Sequence, residues 1–437
     1  MPCPFLLMND ISDCRDLLSS LQERYNPAEG ESNTENFVKT ILERVRTEGM
    51  KAVVEYTRQY DCPTFTSSQF AVPEELLATA AASLGLDDAS IIQEAANNIR
   101  EFHEKQKGQS WFITRDDGSI FGQRQIAVDS AGLYIPGGKG GTTPLISSLL
   151  MNVIPAQVAG VKRIAIVTPP TKEGSISPFL MAAAHLLGVK EVYAAGGAWA
   201  VAALAYGAGP LRPVDVITGP GNIYVTTAKR LLIGTVGIDM IAGPSEIFII
   251  ADKTANAAWV AADMLSQAEH DPLASALCVT TDKGLAEKIM KELALQLPAL
   301  PRASIATTSL CDYGAVVYTP KMEIAYALAN AIAPEHLELL VADPWAVLPK
   351  IRHAGAIFMG HSSSEAFGDY YAGPNHVLPT MSTARFASAL SVDVFMKKTS
   401  IVATSPAFAK ASAESVARLA RIEGLEGHAR SALSRLR

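Results

Sequence analysis

The 437-residue sequence contains no G-x-G-x-x-G fingerprint, no C-x-x-C pair and no long run of Lys or Arg. Without the first, any dinucleotide site has to be built from other glycine turns. Five cysteines, Cys3, Cys14, Cys62, Cys278 and Cys311, are an odd number, so neither a disulfide framework nor a thiolate zinc centre is indicated. A nucleophilic cysteine stays open, but none of the five falls in the motif-dense segments below, and small buried or surface thiols are the plainer reading. With a net charge of −7 and no basic run, nothing points to nucleic acid or to an anionic membrane, and a small-molecule partner is expected. The opening MPCPFLLMNDISDCRD lacks a basic n-region and carries an early proline, so it reads as neither signal peptide nor transmembrane span, and the cytoplasm is the expected compartment.

Aromatic residues are scarce at 7% and charged ones modest at 19%, while 49% of the chain is hydrophobic, the profile of an Ala/Val/Ile/Leu-rich α/β enzyme. The length exceeds one ordinary core, so two or more packed units sharing a cleft are expected. From about Asn33 to Lys107, stretches such as VKTILERVRTEGMKAVVEYTRQY repeat apolar residues at three and four and read as helices, either scaffold or dimer surface. A strand-like GLYIP then opens a Gly/Thr-rich turn, and RIAIVTPP, SPFLMAAAHLLG and EVYAAGG alternate β-branched runs with helix, which is βαβ patterning and implies a parallel sheet. VAGVKRIAIV and LLGVKEVYAA resemble each other and read as two turns of one doubly wound sheet. A second unit starts near IAGPSEIFIIAD, runs into the helix NAAWVAADMLSQAEHD and continues with strands at LCVTT, GAVVYT and GAIFMG. The closing SVDVFMKKTSIVA and the helices after it are short for a core of their own and should pack on another unit or another subunit.

Four clusters carry chemistry. Gln267 and His270 sit three apart at a helix end and share one face, where imidazole and amide oxygen could both coordinate zinc, although a solvated helix end has the same pattern. In Ala333-Pro334-Glu335-His336, proline suits the first turn of a helix, so Glu335 and His336 are expected at a helix N-terminus, whose dipole would keep the imidazole neutral and ready as a general base. The loop from Gly360 to His376 packs glycine and serine around Asp369, a hard oxygen donor, and His376. Glu423 and His428 lie five apart near the terminus, and a surface helix end is the bland alternative. For a cofactor, the turns at Tyr134-Ile-Pro-Gly-Gly, Gly196-Gly197 and Gly219-Pro-Gly-Asn222 each end a strand where phosphate or ribose could meet backbone amides.

Taken in order, Tyr-Ile-Pro-Gly-Gly, Gly-Pro-Gly-Asn, Ala-Gly-Pro-Ser-Glu, Gln-Ala-Glu-His-Asp-Pro, Pro-Glu-His-Leu-Glu and Asn-His-Val-Leu-Pro-Thr resemble the histidinol dehydrogenase family, from about residue 30 to the C-terminus. The resemblance implies an α/β fold of two Rossmann-like units with parallel sheets, a helical N-terminal region and a small C-terminal tail domain. The corresponding spans are 1–125 (mainly helical), 126–240 (NAD side), 241–385 (metal and acid/base motifs) and 386–437 (a tail reaching the partner subunit). It implies one zinc ion per subunit on Gln267, His270, Asp369 and His428, and the acid/base pair Glu335 and His336. Substrate contacts would fall on Ser245, His336, Glu423 and the zinc ligands, and NAD contacts on Tyr134 and Asn222; His376 also lies in a family motif. The family's Gly-Gly-Ala-Gln reads Gly196-Gly197-Ala198-Trp199 here, so at the NAD-contacting position an indole could stack on the cofactor but accept no hydrogen bond. The Gly-Lys-Gly-Gly-Thr-Thr-Pro stretch after Gly137 is also richer in glycine than the family form.

The reaction so implied is the four-electron oxidation of L-histidinol through L-histidinal to L-histidine, with zinc as template, His336 taking the hydroxyl proton and Glu335 activating water. Such an enzyme would be a homodimer with shared active sites. Two rivals remain: a paralogue of the family acting on another diol or amino alcohol such as sulfopropanediol, and a zinc hydrolase built on the same ligands. A non-catalytic binding module would leave the acid/base pair without purpose.

Overall fold

The computed structural model describes residues 3–24, 30–137 and 144–436. Most of the glycine-rich stretch around residues 138–143 therefore lies outside the described residues. Helices Gly30–Glu48, Met50–Tyr60, Glu74–Ala82 and Leu86–Glu104 follow the apolar three-and-four spacing, and the first two are separated at Gly49, whose φ of 55° interrupts the α conformation.

The strands, in chain order, are β1 (Phe5–Leu7), β2 (Trp111–Thr114), β3 (Ile120–Ala127), β4 (Ser130–Tyr134), β5 (Arg163–Thr168), β6 (Glu191–Ala194) and β7 (Val216–Thr218). They continue with β8 (Gly237–Ile238), β9 (Glu246–Ala251), β10 (Ser275–Thr280), β11 (Gly314–Tyr318), β12 (His336–Leu340), β13 (Ala356–Met359) and β14 (Met396–Ala403). A first parallel sheet has the order β6-β5-β4-β7-β8 and a second the order β1-β11-β10-β9-β12-β13. Numbered within its own half, each runs 3-2-1-4-5, the doubly wound order, with β1 added at the edge of the second. Every residue of β4, β9, β10 and β12 is buried, as parallel strands covered by helices on both faces require.

The region up to residue 125 also holds strands: β2 and β3 form an antiparallel hairpin, and β1, from the apolar FLL, pairs with β11. One local expectation changes. Pro334 opens no helix: helix Met322–Ile332 ends before it, Ala333 takes a left-handed φ of 51°, and His336 is the first residue of β12. Proline stops a preceding helix as readily as it starts the next one, and the HLELL that follows is a continuous buried run of strand length.

The carboxyl ends of β4 and β7, neighbours where the strand order reverses, carry Tyr134 and Gly219, the place where doubly wound sheets bind ligands. In the second sheet the expected chemistry sits at the opposite edge, with Ser245 just before β9 and His336 at the amino end of β12. Residues 239–245 carry the chain directly from one edge to the other.

β14 pairs antiparallel with β3 from Met396↔Ala127 to Ala403↔Ile120. Beyond it, helices Pro406–Ile422 and Glu426–Leu433 pack on each other around Ala417, Ala420, Ala429 and Leu433, so the tail does have a small alanine-lined contact of its own. Leu419, Ile422 and Leu425 stay exposed beside it.

The N-terminal helices are fastened to the first sheet by aromatic packing. Trp199, in helix Gly197–Tyr206, stacks on Tyr56 and Tyr60 at 5.9 and 5.4 Å, and its indole N–H donates to Thr57 Oγ1 at 3.0 Å. Only 6% of the residue is exposed. Trp199→Ala is expected to cost about 3–5 kcal/mol, as a buried aromatic truncation does. Urea unfolding measures it, and a loss below about 1 kcal/mol would show that the stack carries little of the packing.

Candidate active site

Two glutamates begin the site, at the starts of neighbouring strands. Glu246 opens β9, and its N–H donates to Glu335 Oε2 at 2.9 Å, while the Glu335 N–H donates back to Glu246 Oε2 at 3.3 Å. Arg24 forms an ion pair with Glu246, both side chains being buried, and a second arm of the guanidinium donates to the Leu273 carbonyl at 3.0 Å. Burial pushes the Glu335 carboxyl up to about 8, an effect only partly offset by neighbouring His336.

His336 Nδ1 lies 3.0 Å from the Glu246 carbonyl, so the N–H belongs on Nδ1 and Nε2 is the nitrogen turned to the site. Nε2 is buried without a hydrogen-bond partner and stands 3.6 Å from Asp369 Oδ1. Burial alone would lower the imidazole's pKa, but the charges of Glu335 and Asp369 outweigh it and hold the group well above the usual histidine range. The helix dipole expected behind His336 is absent, because the residue begins a strand, and carboxylates stand beside it instead.

Asp369 sits in the π-helical turn Gly368–Ala372, a distortion often found at functional positions. Despite burial, the nearby His336 pulls its carboxyl down to about 2 through its charge. Beside it, Glu365 accepts from Ser266 Oγ at 2.9 Å, and its own N–H donates to Glu338 Oε1 at 2.8 Å. Burial raises Glu365 to about 7. Gln267, wholly buried in the last turn of helix Ala257–Ala268, satisfies its surroundings with Nε2 donating to Glu365 Oε1 at 3.1 Å and Oε1 accepting from Glu246 N–H at 3.0 Å. Among the described residues, His336, Glu365 and Asp369 offer ligand atoms within 4.8 Å of one another.

The ligand set implied by the resemblance is therefore only partly assembled within one chain. Gln267 reaches Asp369 by way of Glu365, and His270, one residue past the helix's C-cap, is close enough for its titration to feel Asp369 and His336. His428 and Glu423 lie on the exposed tail helices, and no contact among the described residues brings them here. Ser245 adjoins the site through its carbonyl, which accepts from Ser275 N–H at 3.0 Å. His376, like His336, has a buried Nε2 with no partner. The donors this chain brings together, the Asp369 carboxylate, the Gln267 amide and the His270 imidazole, with no thiol among them, fit a borderline cation such as zinc. Arg24, Glu246 and Glu365 have no role that the sequence alone suggests. Glu246 and Glu365 stand inside motifs already singled out, but nothing local ties Arg24 to residue 246.

On the first sheet, Tyr134 is buried, its hydroxyl accepts from Gly197 N–H at 3.2 Å, and burial raises its pKa. Asn222 is exposed and caps helix Ile223–Leu231, its Oδ1 accepting from Tyr224 and Val225 N–H at 3.1 and 3.2 Å. Its Nδ2 edge remains for a ligand, so the turn fits a dinucleotide. Trp199 does not fit the cofactor role expected of it, because its indole is already packed on Tyr56 and Tyr60 and bonded to Thr57.

Comparison with known proteins agrees with this architecture. The histidinol dehydrogenase family model matches residues 25–436. Histidinol dehydrogenase from Nitratidesulfovibrio vulgaris is 58% identical over 435 residues, covering 100% of this chain and 99% of that protein. The enzyme of the same name from Oleidesulfovibrio alaskensis is also 58% identical, and both chains are covered completely. The crystal structure of histidinol dehydrogenase from Elizabethkingia anophelis superposes with a TM-score of 0.92 at 35% identity, over 100% of this chain and 98% of that one. Agreement at this identity over the whole length places the chain in the histidinol dehydrogenase family.

Proposed function

We propose that this chain oxidises L-histidinol through L-histidinal to L-histidine, reducing two NAD, in the last steps of histidine biosynthesis. The observation that carries the reading is the buried pairing of Glu335 and His336 at the amino edge of one sheet, in a chain whose other sheet carries at its carboxyl edge glycine turns that suit a dinucleotide. NAD would accept hydride from the carbinol carbon and again from the hydrated aldehyde. A zinc ion on Gln267, His270, Asp369 and His428 would supply a fixed template for the substrate's nitrogen donors. His336 Nε2 takes the hydroxyl proton in the first oxidation, and its Nδ1–H, anchored on the Glu246 carbonyl, keeps the ring turned for the task. Glu335, held by the Glu246 N–H, takes a proton from water as it adds to the aldehyde, and His336 assists the second oxidation.

The chain acts as a homodimer in this reading, with residues 386–437 completing the partner's site. Supporting it are the exposed Glu423 and His428 and two apolar surfaces, Trp111, Phe112 and Ile113 on β2 and Leu419, Ile422 and Leu425 on the tail. No described helix is long and apolar enough to cross a membrane, and we place the enzyme in the cytoplasm.

Removing metal with a chelator should abolish NADH formation from L-histidinol, and added zinc should restore it. Full activity in protein shown by elemental analysis to be metal-free would remove zinc from the reading. The shared site has its own test in subunit mixing. His428→Ala and His336→Ala should each be inactive, whereas random exchange of their subunits should recover about a quarter of wild-type activity, from one intact site in each mixed dimer. Demonstrated heterodimers without recovery would mean that the tail serves its own subunit.

The raised pKa of Glu335 fixes the sign of the pH dependence. Glu335, near 8, is largely protonated at neutrality, and a general base works deprotonated, so turnover should climb between about pH 7 and pH 9. In Glu335→Gln a single-turnover trace should show one fast NADH equivalent and a second slowed by about a hundredfold to ten-thousandfold. Equal slowing of both steps in a well-folded variant would assign Glu335 to structure instead.

A further inference from the structure

The Gly-Pro-Gly-Asn turn after β7 is gripped from within the protein by two buried charges. Lys229, on the helix capped by Asn222, and Asp239, just after β8, form an ion pair at 2.6 Å, with their side chains 3% and 0% exposed. Lys229 Nζ donates to the Gly219 carbonyl at 2.8 Å, and Gly219 N–H donates to Asp239 Oδ2 at 2.9 Å. One ion pair thus holds both backbone groups of one glycine, and Met240 N–H, at 2.7 Å from Asp239 Oδ1, fixes the carboxylate in turn.

Gly219 adopts a φ of 115°, and a Cβ there would collide with the Tyr134 carbonyl. The pair therefore holds the turn directly against the residue that ends β4. The far half of the turn is tied as well, since Thr226 Oγ1 donates to Gly221 O at 3.3 Å and to Ala242 O at 3.1 Å, on the segment entering the second sheet.

Stability gives little reason to keep such a pair, because a buried ion pair is often replaced by apolar side chains at no loss. An apolar pair of the same volume could fill the space but could not hold a peptide unit by its N–H and its C=O. We propose that Lys229 and Asp239 are positioning residues for the dinucleotide: by locking Gly219 against Tyr134 they set where Asn222 presents its Nδ2 edge. The inference rests on the reading that this turn takes NAD.

The test is the dissociation constant for NADH, from equilibrium fluorescence titration of the full-length zinc-loaded protein, for the parent, K229M/D239L and D239N. Melting temperature and L-histidinol affinity are measured alongside. The expected result is a Kd for NADH raised about tenfold or more in K229M/D239L, with the melting temperature and L-histidinol affinity near the parent's. D239N, nearly isosteric, should shift the same way by a smaller factor, and it decides the matter if the double variant does not fold. A folded variant that binds NADH as the parent does, or that loses both ligands equally, overturns the positioning role. A parent that binds no NADH overturns the NAD reading itself, which separates the two failures.

Discussion

Placing Glu246 and Glu335 side by side in a dry interior is the constraint around which the site is arranged. Two like charges at neighbouring strand starts would repel, and burial would penalise each. The chain resolves this by exchange: each carboxylate accepts the other's backbone N–H, and Arg24 neutralises one of them. Burial raises both carboxyls, Arg24 opposes it at Glu246, and Glu335 is pushed up to about 8, while the Glu246 carbonyl orients His336. The arrangement around Glu335 and His336 therefore rests, through Glu246, on a residue some three hundred positions away in sequence.

The second consequence is architectural. A doubly wound sheet offers its ligand site at the carboxyl edge, where the first sheet carries Tyr134 and Gly219. In the second sheet the buried carboxylates and imidazole gather at the amino edge instead, at the starts of β9 and β12. At that sheet's carboxyl edge, Asp252 accepts from Ala342 N–H at 2.8 Å and from Thr254 N–H at 2.8 Å, bonds that tie the strand ends to each other and to the following loop.

Much of this is legible in the sequence wherever the signal is local. The βαβ alternation, the second unit beginning near Ala242 and the helices of residues 33–107 all follow from periodicity, because buried helices and parallel strands carry their pattern in consecutive residues. The hairpin of β2 and β3 is not visible there, since Trp111, Phe112 and Ile113 are all exposed and show no alternation. Pro334 misleads because one residue type marks both a helix start and a helix stop. At the site, motif-borne residues such as Gln267, Asp369 and His336 are identifiable as candidates, but the hydrogen bonds joining them are not. Glu365 becomes significant only through Ser266, Glu338 and Gln267, and Trp199 is withdrawn from the cofactor only by tyrosines of a helix far upstream.

The pairing of β1 with β11 sets an order of events during synthesis. Phe5 aligns with Val316, so β1 lies in the second sheet, and its neighbour is made some three hundred residues later. Domains fold as their sequence emerges, so the parallel sheet of the first unit, β4 to β8, can form while Phe5–Leu7 still has no edge to join. Arg24 waits in the same way for Glu246. The nascent chain thus carries an apolar strand and a cation without these partners while the residues between them are made, and β1 docks only once β11 has emerged. Such long-range parallel closure is intrinsically slow.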